Sequence, residues 1–161
     1  MIIIYNSFIS PYLFYCNIIW GNSPKYLIDH IFTLQKRFIR LIFNLKSFDS
    51  TQHLFPILKI MTIRNIFTYS SSIFIFKFIH NLLPAYYKTF YDFSSNFKLK
   101  TTPKTPTFYL HKTRLTLLKN SIVNTGPRLW DDTIPLSIKN TNSIKKFKLN
   151  MKKFIFTFKP P

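Results

Sequence analysis

Apolar and polar positions are most regularly spaced between residues 25 and 45. There Leu27, Ile31, Leu34, Phe38, Leu41 and Leu45 follow one another at steps of four and three. That spacing stacks these side chains on one face of an α-helix. At ~100° per residue, Lys36, Arg37, Arg40 and Asn44 fall on the opposite face. An apolar stripe backed by a basic one has two readings: a solvated face on a core helix, or a stripe that tracks phosphates.

A second helix is predicted from Ile63 to His80, with Thr62 as its N-cap before the apolar run. Asn81 suits the left-handed position past its end, and Pro84 prevents continuation. Ile66, Phe67, Ile73, Phe74, Phe76 and Phe78 make it apolar on most sides, and Ser70, Ser71 and Ser72 allow a neighbour to come close. Such a pattern suits a helix packed within a bundle.

The last element is again helical. Ile144, Phe147, Met151, Phe154, Ile155 and Phe158 share a face, while Lys145, Lys146, Lys148, Lys152 and Lys153 crowd the other. Between these helices the pattern lapses. Residues 96–107 are polar and basic and hold Pro103 and Pro106, as a linker would. Thr107 to Leu110 is β-prone, and Ser121 to Pro127 is expected to supply a second short strand ending in a turn. No internal repeat is visible.

The first 24 residues carry no charge. A spanning helix needs about 20 mostly apolar residues, so this segment is a candidate. Asn6, Ser7, Ser10, Pro11 and Asn17 interrupt it, and no basic residue precedes it as in a signal peptide. A buried core helix is the favoured reading of residues 1–24.

Charge changes the picture more than any motif does. The chain has 23 Lys and Arg against five Asp and no Glu, a formal charge of +18. General acid–base pairs, two-metal phosphoryl transfer and calcium sites all draw on clustered carboxylates. Here only Asp131 and Asp132 are neighbours; Asp29, Asp49 and Asp92 stand apart. A surface so basic attracts polyanions. Ile, Phe, Lys, Asn and Tyr, residues of A/T-rich codons, make up half of the chain, so base composition accounts for part of the Lys and Phe excess. It does not account for the missing Glu. Cys16 is alone, and His30, His53, His80 and His111 have no partners at ligand spacing, so neither a disulfide framework nor a metal or cofactor site is expected.

Several short motifs occur in a telling order. Tyr5-Asn6-Ser7 is followed by Tyr15-Cys16, Trp20-Gly21, and Leu34-Gln35-Lys36-Arg37 with Arg40. Leu54-Phe55 with Leu58 and Ile60, Asn81-Leu82-Leu83-Pro84, and His111 with Thr113-Arg114 come next. The series ends with Gly126-Pro127-Arg128-Leu129-Trp130-Asp131, Ile134-Pro135, and Ser143-Ile144 before Phe147-Lys148. This ordered series resembles the region after the catalytic palm in non-LTR (LINE-type, jockey-like) retrotransposon reverse transcriptases. It covers nearly the whole chain, and Gly-Pro-x-Leu-Trp followed by x-Pro is its most specific part.

The resemblance implies a thumb and C-terminal tail without the palm carboxylates, hence no polymerase activity of the chain's own. The expected fold is mainly α. A helical, thumb-like bundle over residues 1–95 leads through a basic Pro/Thr linker over 96–107 to a small C-terminal lobe over 108–161. That lobe has a short β-hairpin and a terminal amphipathic helix. Trp20, Gly21, Pro84, Arg114, Gly126, Pro127, Trp130 and Pro135 are expected to be structural. Asp131-Asp132 looks superficially like a metal-binding hairpin, yet Gly126-Pro127 before it and Pro135 after it favour a turn and a short helix. Thumb elements grip template–primer backbones, and phosphate contacts position without reading sequence. Lys36, Arg37 and Arg40, with Lys145, Lys146, Lys148, Lys152 and Lys153, are the candidates for such contacts with RNA or DNA, and Arg114 and Arg128 for bracing the lobe around Trp130. The alternative is a small basic membrane-associated protein anchored by residues 1–24, its basic tail on an anionic surface.

Overall fold

The computed structural model describes residues 2–90, 108 and 113–157. Its regular elements are all helical, in the order α1 (Ile2–Ile4), α2 (Ser10–Phe14), α3 (Asn17–Trp20), α4 (Lys25–Phe43), α5 (Leu54–Ile57), α6 (Ile63–Ile79), α7 (Thr116–Asn120), α8 (Ile122–Arg128), α9 (Leu136–Lys139) and α10 (Ile144–Thr157). Wider π-type turns cover Tyr5–Ile9 and Leu129–Thr133, and a 3₁₀ turn covers Ala85–Phe90. The fold is mainly α. The β-hairpin expected in the C-terminal part is absent from the described residues: Ile122–Arg128 is helical, and of the first strand only Phe108 is described. The linker expected at 96–107 lies outside the described residues.

Two compact units divide the chain: residues 1–70 with 152–161, and residues 71–151. Three helix ends show how the chain turns with only two glycines. Asn44, Lys59 and Asn81 each adopt a left-handed backbone, with φ of 50°, 54° and 53°. In each case the next N–H reaches back five residues, Leu45 to Arg40, Ile60 to Phe55 and Leu82 to Lys77, at 2.8 to 2.9 Å. This is the Schellman closure of a helix, which satisfies carbonyls that would otherwise lack a donor. At the other end of α6, the Thr62 hydroxyl accepts the Asn65 N–H at 3.3 Å, an N-cap.

In the first unit, α4 turns Ile28, Gln35 and Ile39 inward, all buried. That corrects the sequence expectation. The Leu27, Leu34 and Leu41 row lies roughly a third of a turn away and is exposed. Gln35 explains the shift. Its amide donates to the Tyr5 hydroxyl at 2.8 Å and to the Met61 carbonyl at 3.2 Å, while its oxygen accepts the Ile63 N–H at 2.9 Å. A buried polar side chain is tolerated when it is fully paired, and this one anchors the N-terminal segment and the start of α6 to α4. Tyr5 also lies on Phe38, ring centres 5.3 Å apart.

Residues 1–24 depart from the expected core helix. The segment is helical but broken at Tyr15 and Cys16, where Tyr15 is extended and Cys16 is left-handed. Tyr5, Leu13, Asn17 and Gly21 are buried, whereas Ile3, Phe8, Tyr12, Tyr15 and Ile19 face outward. Among the described residues no helix is long and apolar enough to cross a membrane.

The second unit is built on an aromatic stack. Phe147 of α10 lies between Phe76 of α6 at 4.2 Å and Trp130 at 5.8 Å, both near-parallel. The Lys139 ammonium sits 5.8 Å over the Trp130 ring. Ile122–Arg128 is helical although Pro127 lacks an N–H, and it runs straight into the wider turn at Leu129–Thr133.

Candidate nucleic-acid interface

The chain after α4 folds back on the helix through one guanidinium. Arg40 donates from Nε and Nη2 to the Asp49 carbonyl at 3.3 and 3.1 Å. Asp49 in turn holds its loop: its carboxylate accepts the Lys46 N–H at 2.8 Å, and its own N–H reaches the Lys46 carbonyl at 3.1 Å. Because Arg40 bonds a carbonyl and not the carboxylate, these hydrogen bonds leave its charge in place. Together with the left-handed turn at Asn44, this leaves a cleft of about 650 Å³ lined by Thr33, Arg37, Arg40, Leu41, Asn44, Leu45 and Ser47.

The lining is chemically one-sided. It holds two guanidinium groups, one amide and two hydroxyls, and no carboxylate. Planar guanidinium forks match the oxygens of a phosphate. Arg37 and Arg40, singled out from the sequence, are therefore brought together. Lys36 is not: its ammonium lies 4.8 Å over the Phe32 ring. Thr33 and Ser47 carried no periodic signal: Thr33 lies one turn before Arg37 on α4, and Ser47 belongs to the loop that Arg40 ties down.

On α10, Lys145, Lys146, Lys148, Lys152 and Lys153 are all exposed, opposite the buried Phe147, Met151 and Ile155. Lys145, Lys146 and Lys148 belong to the second unit, Lys152 and Lys153 to the first. A second cleft in the first unit, about 510 Å³, is lined partly by His53, Phe55, Thr62, Asn65 and Phe156.

The motif residues have mainly structural positions. The Trp20 indole donates to the Tyr15 carbonyl at 2.8 Å. Gly21 is buried where a Cβ would come within 2.5 to 2.7 Å of Asn17 and the Phe67 ring. Gly126, Pro127 and Trp130 are buried, and Pro135 immediately precedes α9. Pro84 follows the turn at Asn81; Arg114 and Arg128 are exposed.

Asp131 and Asp132 lie in the helical turn Leu129–Thr133. Lys139 stands 4.0 Å from the Asp131 carboxylate. Burial lowers the Lys139 ammonium from its ordinary pKa, against the opposing pull of Asp131 and Asp132. Asp29 pairs with Arg64 at 2.6 Å. Among the described residues no three His, Cys or Asp side chains converge as a bound metal ion would require. Family models, curated protein sequences and solved structures give no match to this chain.

Proposed function

We propose that this chain is a nucleic-acid grip of the non-LTR reverse-transcriptase type, a thumb-like element that holds phosphate backbones without sequence preference and carries out no polymerisation itself. The observation that carries this reading is the carboxylate-free cleft in which Arg37 and Arg40 meet. The exposed lysines of α10 are further cations, Lys152 and Lys153 in the same unit as the cleft and Lys145, Lys146 and Lys148 in the other. Two-metal polymerisation needs carboxylates gathered around the ions; the one adjacent pair, Asp131-Asp132, sits in a helical turn beside Lys139.

The test is a salt titration of binding to fluorescent duplexes of unrelated sequence. Log K is expected to fall with log salt by about 0.9 per neutralised phosphate. Arg37→Gln with Arg40→Gln should weaken all duplexes alike and flatten that slope. Unchanged affinity and slope would reduce the cleft to a solvated surface. Primer extension with Mg²⁺ or Mn²⁺ that disappears in Asp131→Ala would overturn the non-catalytic part.

A second reading is supported by the outward apolar residues of the uncharged N-terminal segment, Ile3, Phe8, Tyr12, Tyr15 and Ile19. It places that face in the interfacial layer of an anionic membrane. Co-sedimentation with anionic vesicles that Phe8→Ser and Ile19→Ser abolish would favour it over the first reading.

A further inference from the structure

We infer that the outward leucine row of α4 is a docking seam for an acidic amphipathic helix of a partner protein. Leu27, Leu34 and Leu41 recur every seven residues and are 45%, 49% and 71% exposed. Ile31, Phe38 and Leu45 follow each of them by four residues and are half-buried. Alternating steps of four and three are the spacing by which one helix receives the side chains of another. The helix meets its own core mainly through a different row, Ile28, Gln35 and Ile39, with Tyr5 also packed on Phe38 at the inner edge of the seam. It therefore carries a second apolar seam that the described residues leave open to solvent.

The flanks of the seam select the occupant. On one side lie His30, Arg37 and Asn44, about a quarter turn from the seam and not opposite it as the sequence pattern suggests; on the other lie Ile28 and Gln35, already buried. An incoming helix thus meets formal charge on one side only, at Arg37. A second copy of this chain fits badly. Antiparallel pairing sets the Arg37 flank against its equivalent, and parallel pairing sets it against residues enclosed in the other copy's core. Two chains of +18 also repel each other. A helix with leucine-like residues in the seam and Asp or Glu along one edge satisfies both the apolar row and Arg37.

The seam shares Arg37, Leu41 and Leu45 with the cleft proposed for nucleic acid, so Leu27 and Leu34, which lie outside that cleft, carry the test, made with the full chain. The probes are two fluorescent helical peptides of about 21 residues, or three heptads, with Leu in the seam and either Glu or Lys on the flanks. The Glu peptide is expected to bind and the Lys peptide not. Leu27→Gln with Leu34→Gln should weaken the Glu peptide about tenfold while leaving duplex DNA affinity unchanged, since neither residue lines the Arg37–Arg40 cleft. Arg37→Glu should weaken the Glu peptide and admit the Lys peptide. Circular dichroism checks that these surface variants keep their helices. Equal binding of both peptides, or a leucine pair without effect, overturns the proposal. So does a wild-type dimer, or vesicle binding, that the same leucine pair abolishes, because the seam would then belong to a second copy or to lipid.

Discussion

The side-chain oxygen of Gln35 accepts the Ile63 N–H at 2.9 Å, so a residue in the middle of α4 satisfies the first backbone donor of α6. Helix N-termini leave such donors without intrahelical partners. The neighbouring Thr62 caps the Asn65 N–H, whereas the Ile63 N–H takes its partner from 28 residues away. The same amide holds the Tyr5 hydroxyl and the Met61 carbonyl.

Gln35→Leu is therefore expected to be costly although it adds apolar surface. It leaves three buried groups without this partner, and the loss should be roughly 2–4 kcal/mol in urea unfolding. Gln35→Glu keeps the acceptor for Ile63 but removes both donors and buries a charge. At neutral pH it should be at least as damaging. A Gln35→Leu protein as stable as wild type would show that the hub has no energetic weight.

The two glycines should respond differently to alanine. At Gly21 a Cβ meets the Asn17 carbonyl at 2.5 Å, the Asn17 side chain at 2.6 Å and the Phe67 ring at 2.7 Å. Backbone cannot easily retreat, so a loss of about 2–3 kcal/mol is expected, in the range of an overpacked core. At Gly126 the nearest atom is the tip of Ile75 at 2.9 Å, a side-chain end that can turn aside. Thermal melts should rank Gly21→Ala well below Gly126→Ala.

Lys59 offers the opposite change. Its φ of 54° places a side chain in the left-handed region, where a Cβ is crowded by the following carbonyl. Lys59→Gly should raise stability by about 1 kcal/mol, readable as a higher urea midpoint with an unchanged slope.

Alkaline pH should loosen the first unit. Burial raises the Tyr5 and Tyr69 hydroxyls above their ordinary pKa of 10.0, and at Tyr5 it outweighs the opposing Gln35 hydrogen bond. Unfolded phenols ionise near pH 10.0 while the folded ones still hold their protons. This contribution to stability is present in full below that pH and is lost as pH rises through the raised folded values. Melts between about pH 9 and pH 11 should show the fall, and Tyr5→Phe should make it shallower.

The long helices were legible because their ends carry chemistry: Thr62 before α6, Asn81 after it, and the 3.6-residue pattern within α10. The buried face of α4 was not. Two apolar rows run along that helix, and the one that meets the core is interrupted by Gln35, so counting hydrophobic residues favours the wrong one. Only the hydrogen bonds to Tyr5, Met61 and Ile63, distant in sequence, reveal why a glutamine belongs inside. Residues 121–127 misled for a related reason. Ile122, Val123 and Thr125 are β-branched, yet the buried fit of Gly126 beside Ile75 is a tertiary contact that local preference does not contain. Of the cleft, the arginines could be read from the helix pattern; the loop that completes it depends on the Arg40–Asp49 contact.

The scarcity of acid also reaches beyond binding. Asp29 is engaged by Arg64, Asp49 by the Lys46 N–H, and Asp131 lies beside Lys139. Little negative charge is left to offset the cationic surface, so the folded chain presses outward on itself as a polyelectrolyte does. Salt then acts in two opposite senses: it screens that pressure and steadies the fold, while loosening the hold on a polyanion. A bound polyanion steadies the fold by mass action as well. In dilute buffer, where its own charge is least screened, the folded chain is expected to be at its most fragile; under the proposed function a bound polyanion would supply the screening that salt otherwise gives.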